Sequence, residues 1–351
     1  MKITKIPGLG RFGVFIDDLD FHNLTDEEWF ELGQQHLNNL VTIIRKVDIT
    51  PAEYELWASK WITERSVASY QVLKKYYEKY KVTKFEELFF GDEQLVIDQE
   101  DQDWFNTMLN FIPHQEAGDK TGMLRVTGKK DEQGNPLGMF AEGELLWHSN
   151  ESGNLIFAPG VSLYGYQGVV GSATGFVTTT DWYEEQSESF RSELDEIVLE
   201  HKFTPGRINP GLRQDQDYVM YKNMCPTPSE IPLVIQSPNG LKGLHYSVNT
   251  VNSVKGMNQE QSNKFFDYIN KTLFVDKYIY DHWYTQDRDI CFFDNSITLH
   301  RRLGGVTNRL CYRIQGDYEK ITTNPINPYF QEPFISKYEQ DLNALKSLMR
   351  V

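Results

Sequence analysis

At 351 residues the chain can form one enlarged domain or two of about 150 residues each. Hydrophobic residues make up 40% and charged residues 24%, and 47 aromatics (21 Phe, 19 Tyr, 7 Trp) supply rigid core surface, which excludes a disordered chain and a small disulfide-stapled module. Fifty acidic against 35 basic side chains leave a net charge of −15, which repels phosphate backbones and argues against a nucleic-acid partner.

Met1 to Phe15 has neither the apolar core nor the small-residue cleavage site of a signal peptide, and no run approaches about 18 apolar residues. A cytoplasmic protein without membrane contact is expected. Thr25-Asp26-Glu27-Glu28 is a capping box that predicts a helix to about Asn38, Leu40–Ile44 reads as a strand, and Thr50-Pro51-Ala52-Glu53 starts a second helix. Between Gln115 and Glu144 the composition turns Gly- and charge-rich, with turn chemistry at Asp131–Pro136. Leu155–Val177, punctuated by Gly160, Gly165, Gly168, Gly171 and Gly175, suits successive strands and tight turns.

Trp182–His201 has helical spacing, and Asn258-Gln259-Glu260-Gln261 opens another helix through Phe265, Phe266 and Ile269. Ile290–Phe293 and Leu310–Ile314 are the clearest late strands; the tail from Thr323 carries three prolines before a terminal helix at Tyr338–Met349. No internal repeat or regular βαβ alternation is present, so the pattern predicts a mainly β sandwich or jelly roll with helical cover. It is read as a single domain, 1–351, comprising an N-terminal helix-strand-helix part (1–114), a core (145–318) and a helical tail (319–351).

Cys225, Cys291 and Cys311 are odd in number and form no CxxC pair, which predicts free buried thiols rather than a zinc site. Among eight histidines, His148 in Leu145-Leu146-Trp147-His148-Ser149-Asn150-Glu151 and His300 at the close of Asp294-Asn295-Ser296-Ile297-Thr298-Leu299-His300 each sit where a strand could end at a site. Arg309 and Arg313 follow; four residues apart in a strand, their guanidinium forks would share a face and could grip carboxylates. His245 and His114 read as ordinary hydrogen-bonded histidines. Neither a phosphate-binding glycine loop nor a GxSxG nucleophile elbow is present.

With Trp147-His148-Ser149-Asn150, the Asp294-Asn295 pair before His300, and Arg309 with Arg313, the chain resembles the taurine dioxygenase-like (TauD/TfdA-type) Fe(II)- and 2-oxoglutarate-dependent oxygenases over most of its length. The resemblance implies a double-stranded β-helix (jelly roll) core, and a metal site in which two imidazoles and a carboxylate hold Fe(II) and leave positions for 2-oxoglutarate and O2. It implies Arg309 with Thr174 on the distal carboxylate of 2-oxoglutarate, and Arg313 facing the substrate or bracing the site. The implied reaction is oxidation, most simply hydroxylation, of a small substrate, with anionic compounds and amino acids in view. A homo-oligomer is also implied.

One position departs from that pattern: Asn150 stands where the family carries Asp or Glu, leaving the site one negative charge short. Three readings stay open at the sequence level. Asn150 ligates through its amide oxygen; Glu151 takes the role if a bulge near Ser152-Gly153 turns it inward; or water or halide completes the site, with halogenation, desaturation or a non-catalytic small-molecule-binding relative as the functional alternatives.

Overall fold

The computed structural model describes residues 1–64, 79–81, 96–101, 123–130, 132, 137, 144–153, 157–202, 229–304, 308–318 and 320–322. Strands β1 (Lys2–Lys5) and β2 (Val14–Asp17) form a hairpin; α1 (Asp26–Asn39) returns the chain so that β3 (Val41–Ile44) lies parallel to β2. Leu40 ends α1 with a positive φ of 63° while its N–H bonds the His36 carbonyl, which gives the sharp turn into β3. Helix α2 (Pro51–Ala58) leads to β4 (Thr63–Glu64).

Both helices begin at complete capping boxes: Thr25 with Glu28 and Thr50 with Glu53 each satisfy two backbone amides reciprocally. Thr25→Ala is expected to lower stability by about 1 kcal/mol. A urea denaturation midpoint equal to that of the native chain would show that the cap contributes nothing.

The remaining strands are β5 (Leu124–Thr127), β6 (Leu145–His148), β7 (Gly160–Gln167), β8 (Ala173–Thr178), β9 (Val198–His201), β10 (Ser229–Pro232), β11 (Val234–Gln236), β12 (Lys242–Leu244), β13 (Val251–Val254), β14 (Ile279–Trp283), β15 (Asp289–Asp294), β16 (Thr298–Leu303) and β17 (Leu310–Asp317). Between them lie α3 (Thr179–Glu184), α4 (Glu188–Asp195) and α5 (Gln259–Leu273). The described chain is mainly β with some helices.

An eight-stranded sheet runs β1-β2-β3-β15-β7-β17-β4, with β5 also on β17, and a four-stranded sheet runs β14-β8-β16-β6. Phe293 of the large sheet meets Phe176 and His300 of the small one at ring separations of 5.3 and 4.7 Å, so the two sheets face each other across a shared core. Helices α1 and α2 cover the other face of the large sheet through a cluster of Trp29, Tyr54, Trp61, Tyr164, Phe292 and Tyr318. Inside it His36 stacks on Trp61 at 5.3 Å and bonds Thr42 and Tyr318. A separate core beneath α5 joins Trp182, Leu199, Leu244, Tyr246 and Ile269.

One sequence expectation needs correction. Trp182–His201 is not one helix: Ser187 caps a new helix, α4, which ends at Asp195, and the chain then forms β9, where Leu199 and His201 are buried and Val198 and Glu200 partly so. That alternation has the period of a strand and pairs with β10 and β13. Arg309 stands one residue before β17; the register slip between Leu310 and Cys311 skips Tyr166 of β7, while β17 itself runs on without an inserted residue against β5.

Cys291 and Cys311 are free and buried, as expected. The turn residues 133–136, His114, Cys225 and the tail from Thr323 lie outside the described residues. Among the described residues no helix is long and apolar enough to cross a membrane.

Candidate active site

The small sheet sets the geometry. β16 and β6 are antiparallel, and His300 stands directly opposite His148. Opposed residues of an antiparallel pair project to the same face, and the two imidazole centroids lie 4.1 Å apart. That face looks toward the large sheet, because His300 also contacts Phe293 at 4.7 Å. The other face of β16 is occupied by Arg301, which lies 4.3 Å over Trp147 and pairs with Asp281 at 2.8 Å.

Both rings are held neutral. Burial, with the charges of Arg313 and Arg302, pushes His148 down to about 4, and burial with His148 and Arg313 holds His300 well below its ordinary value. His148 Nδ1 donates to the Leu146 carbonyl at 2.7 Å, which assigns the proton to Nδ1 and leaves the lone pair on Nε2. His300 Nδ1 is buried without a hydrogen-bond partner. Two neutral imidazoles side by side, one fixed in tautomer and one with a buried unbonded nitrogen, are a donor set that suits a divalent metal.

Asn150 follows two residues after His148 and is buried. Asn295 pins its backbone: Asn295 Oδ1 accepts from Asn150 N at 2.7 Å, and Asn295 Nδ2 donates to the carbonyls of Asn150 (3.0 Å) and Ala158 (2.8 Å). Asp294, the other half of the pair, accepts from the backbones of Ser296 and Ile297 and from Ser237 Oγ, and burial raises it to about 6. Asn295 therefore pins the loop that carries Asn150, and Asp294 shapes the turn that carries Asn295.

The Asn150 side chain reaches across to the large sheet and donates to Gln315 Oε1 at 3.3 Å. Glu151 has a left-handed φ of 61°; its carboxylate accepts from Ala158 N at 2.8 Å and from Gln315 Nε2 at 3.0 Å. Among the described residues no group of three His, Cys, Asp or Glu side chains could hold a metal, so Glu151 does not complete such a group with the two histidines.

Farther along β16, Arg302 shares the inner face with His300 and stands opposite Thr174 of β8. Gly171, with φ of 87°, makes the turn that delivers Thr174, whose hydroxyl lies 3.2 Å from the Tyr284 hydroxyl. Arg309 is 6% exposed and close enough to Arg302 that, after burial, its charge helps lower Arg302 to about 9. Among the described residues Arg309 has no acidic partner and no side-chain hydrogen bond. Two guanidinium groups and a hydroxyl along this stretch are the kind of donor set that could hold an anion.

Of the residues picked out from sequence, His148, His300 and Arg313 come together at one end, where Asn150 follows two residues after His148 with its side chain on Gln315, and Thr174 and Arg309 are joined through Arg302 along the same face. His245 stays apart: its Nδ1 donates to the Ser296 carbonyl at 2.9 Å and its ring packs on Phe157, a supporting position for the Asn295 turn. Sequence reasoning missed Arg302 and Gln315. Strand alternation from His300 could have found Arg302, and alternation from Arg313 could have found Gln315.

The model of the family described as "Taurine catabolism dioxygenase TauD, TfdA family" matches residues 3–315. Comparison with curated proteins gives no significant match. Among solved structures, AAD-2 in complex with Mn(II) and N-oxalylglycine superposes with a TM-score of 0.62 at 17% identity, covering 93% of this chain and 99% of that one. A taurine dioxygenase from Burkholderia xenovorans gives 0.58 at 15% identity, covering 90% and 89%. At these identities the likeness is one of fold.

Proposed function

The chain belongs to the taurine catabolism dioxygenase TauD, TfdA family and is a dioxygenase; from that premise we propose that it oxidises a small organic substrate, most simply by hydroxylation, with His148, Asn150 and His300 holding Fe(II) and Arg309 and Thr174 holding 2-oxoglutarate. The two facing sheets are then the walls of a double-stranded β-helix. The observation that carries the reading is one inner face with a neutral imidazole pair at one end and, at the other, Arg309 without an acidic partner. When bound, Fe(II) with 2-oxoglutarate and O2 supplies the oxidation, with 2-oxoglutarate leaving as succinate and carbon dioxide.

The chain's own residues bind and orient. Arg309 offers a planar fork to the distal carboxylate, Thr174 adds a hydroxyl, and Arg302 adds a second positive charge beside them. The AAD-2 ligand, N-oxalylglycine, shares the two carboxylates of 2-oxoglutarate, which supports this assignment of the cationic end. Arg313, whose charge is felt by both histidines, suits an anionic group on the substrate or co-substrate near the metal. Asn150 favours hydroxylation over halogenation, because the amide and its bond to Gln315 fill the room a halide would need.

Anaerobic titration of the metal-free protein with Fe(II) and 2-oxoglutarate tests the assembly without any substrate. The expected result is the weak visible charge-transfer band of 2-oxoglutarate chelated on Fe(II). Absence of the band, together with failure of either component to bind alone, would leave a non-catalytic small-molecule binder.

A further inference from the structure

A neutral amide makes an ambiguous metal ligand. Its two ends have nearly the same shape, but only the oxygen can bind a cation, and the N–H2 end repels one. A site built on Asn150 therefore needs something that decides which end faces the histidines. Resting on the reading of Asn150 as third ligand, we infer that Glu151 and Gln315 form a hydrogen-bond relay that aims the Asn150 oxygen at the metal and lends it negative charge, with Gln315 as the positioning residue.

The polarity of the relay follows from its first member. An ionised carboxylate only accepts, so the Gln315 end that lies 3.0 Å from Glu151 Oε1 must be the donating Nε2. Gln315 then has its Oε1 at the other end, and an oxygen there must receive a donor, which is Asn150 Nδ2 at 3.3 Å. With Nδ2 committed to Gln315, Oδ1 is the end of Asn150 left for a cation. The orientation is thus set by chemistry two hydrogen bonds away rather than by the shape of the amide.

Each member is held independently. Glu151 Oε2 accepts from Ala158 N at 2.8 Å, and the left-handed φ at Glu151, uncommon for a residue with a side chain, accompanies the turn of its carboxylate toward Gln315. Gln315 lies in β17, paired with Val161 of β7, two residues after Arg313 and on its face. The Asn150 backbone is fixed at both its N–H and its carbonyl by Asn295. A chain of hydrogen bonds that ends on a full negative charge polarises every amide along it, so Oδ1 gains some carboxylate character. The formal charge missing from the third ligand is supplied from the neighbouring residue.

Glu151→Gln does more than remove a charge. The new amide must give its oxygen to Ala158 N–H and its N–H2 to Gln315; Gln315 must then turn its own N–H2 toward Asn150, whose oxygen turns away from the metal. Mn(II) binding, followed by calorimetry on the metal-free protein, is expected to weaken 10- to 100-fold. In an Asn150→Asp background the reversed Gln315 would donate to the aspartate, so adding Glu151→Gln there should leave Mn(II) affinity unchanged or tighter. Equal weakening in both backgrounds, or none in either, would overturn the relay.

Gln315→Leu, which leaves Glu151 on Ala158, should also weaken Mn(II) binding at least tenfold with Asn150 present. Circular dichroism and the thermal midpoint of each metal-free variant confirm that the fold is retained, and Gln315→Leu carries the test if Glu151→Gln does not fold. Asn150→Ala separates the two levels. If it leaves Mn(II) binding unchanged, the third-ligand reading itself fails; if it weakens binding while Glu151→Gln and Gln315→Leu do not, only the relay fails.

Discussion

Replacing Arg309 with Ala is expected to raise the dissociation constant for 2-oxoglutarate at least a hundredfold while leaving Mn(II) binding in the absence of 2-oxoglutarate unchanged. The guanidinium is buried and has no carboxylate or side-chain hydrogen bond among the described residues, so an incoming carboxylate would be its first partner. A bidentate charge-assisted contact in such a setting contributes roughly 3 kcal/mol, and about 1.4 kcal/mol is tenfold in affinity. Arg309→Lys keeps the charge and loses the fork, and should fall between the two.

The same variant carries a second expectation with the opposite sign. In the protein without ligand, Arg309 adds a like charge beside Arg302, and burial together with that charge already lowers Arg302 to about 9. Removing Arg309 relieves the repulsion, so the ligand-free variant should melt no lower than the native chain, and 2-oxoglutarate should raise the melting temperature of the native chain only. An Arg309→Ala protein that unfolds earlier but binds 2-oxoglutarate normally would reassign the residue to structure.

Local chemistry was readable in the sequence where it depends on neighbours in the chain. Thr25 and Thr50 cap their helices as their spacing to Glu28 and Glu53 requires, and His148 closes β6 as its setting suggested, whereas His300 lies inside β16 rather than at a strand end and meets His148 there in register. What depends on register between distant strands was hidden. Arg301 and Arg302 are adjacent and alike in sequence, yet β16 sends one outward onto Trp147 and Asp281 and the other inward beside Arg309. Gln315 is an ordinary polar strand residue until β17 brings it opposite the Asn150 loop.

Acid should unfold this protein early, and buried neutral histidines are the reason; three of them lie outside the metal site. His36, His201 and His245 are buried and neutral; desolvation pushes them from 6.5 to about 3, about 3 and about 4. Above pH 6.5 neither the folded nor the unfolded chain protonates them, and stability does not depend on them. Below it the unfolded chain binds protons that the fold refuses, so stability falls as pH drops from 6.5 toward the folded values. At about pH 5 each histidine costs about 2 kcal/mol relative to pH 7.5. Asp294 works the other way: raised to about 6 by burial, it takes up a proton in the fold first and returns about 1 kcal/mol over the same range. From these four groups alone the loss is about 5 kcal/mol, comparable with the whole stability of many domains. Urea denaturation at pH 7.5 and pH 5 should therefore give sharply different midpoints. His36→Gln, which removes the titrating group between Thr42 and Tyr318, should be less stable at pH 7.5 yet lose about 2 kcal/mol less on acidification. Equal acid sensitivity in that variant would mean that His36 takes up its proton without unfolding.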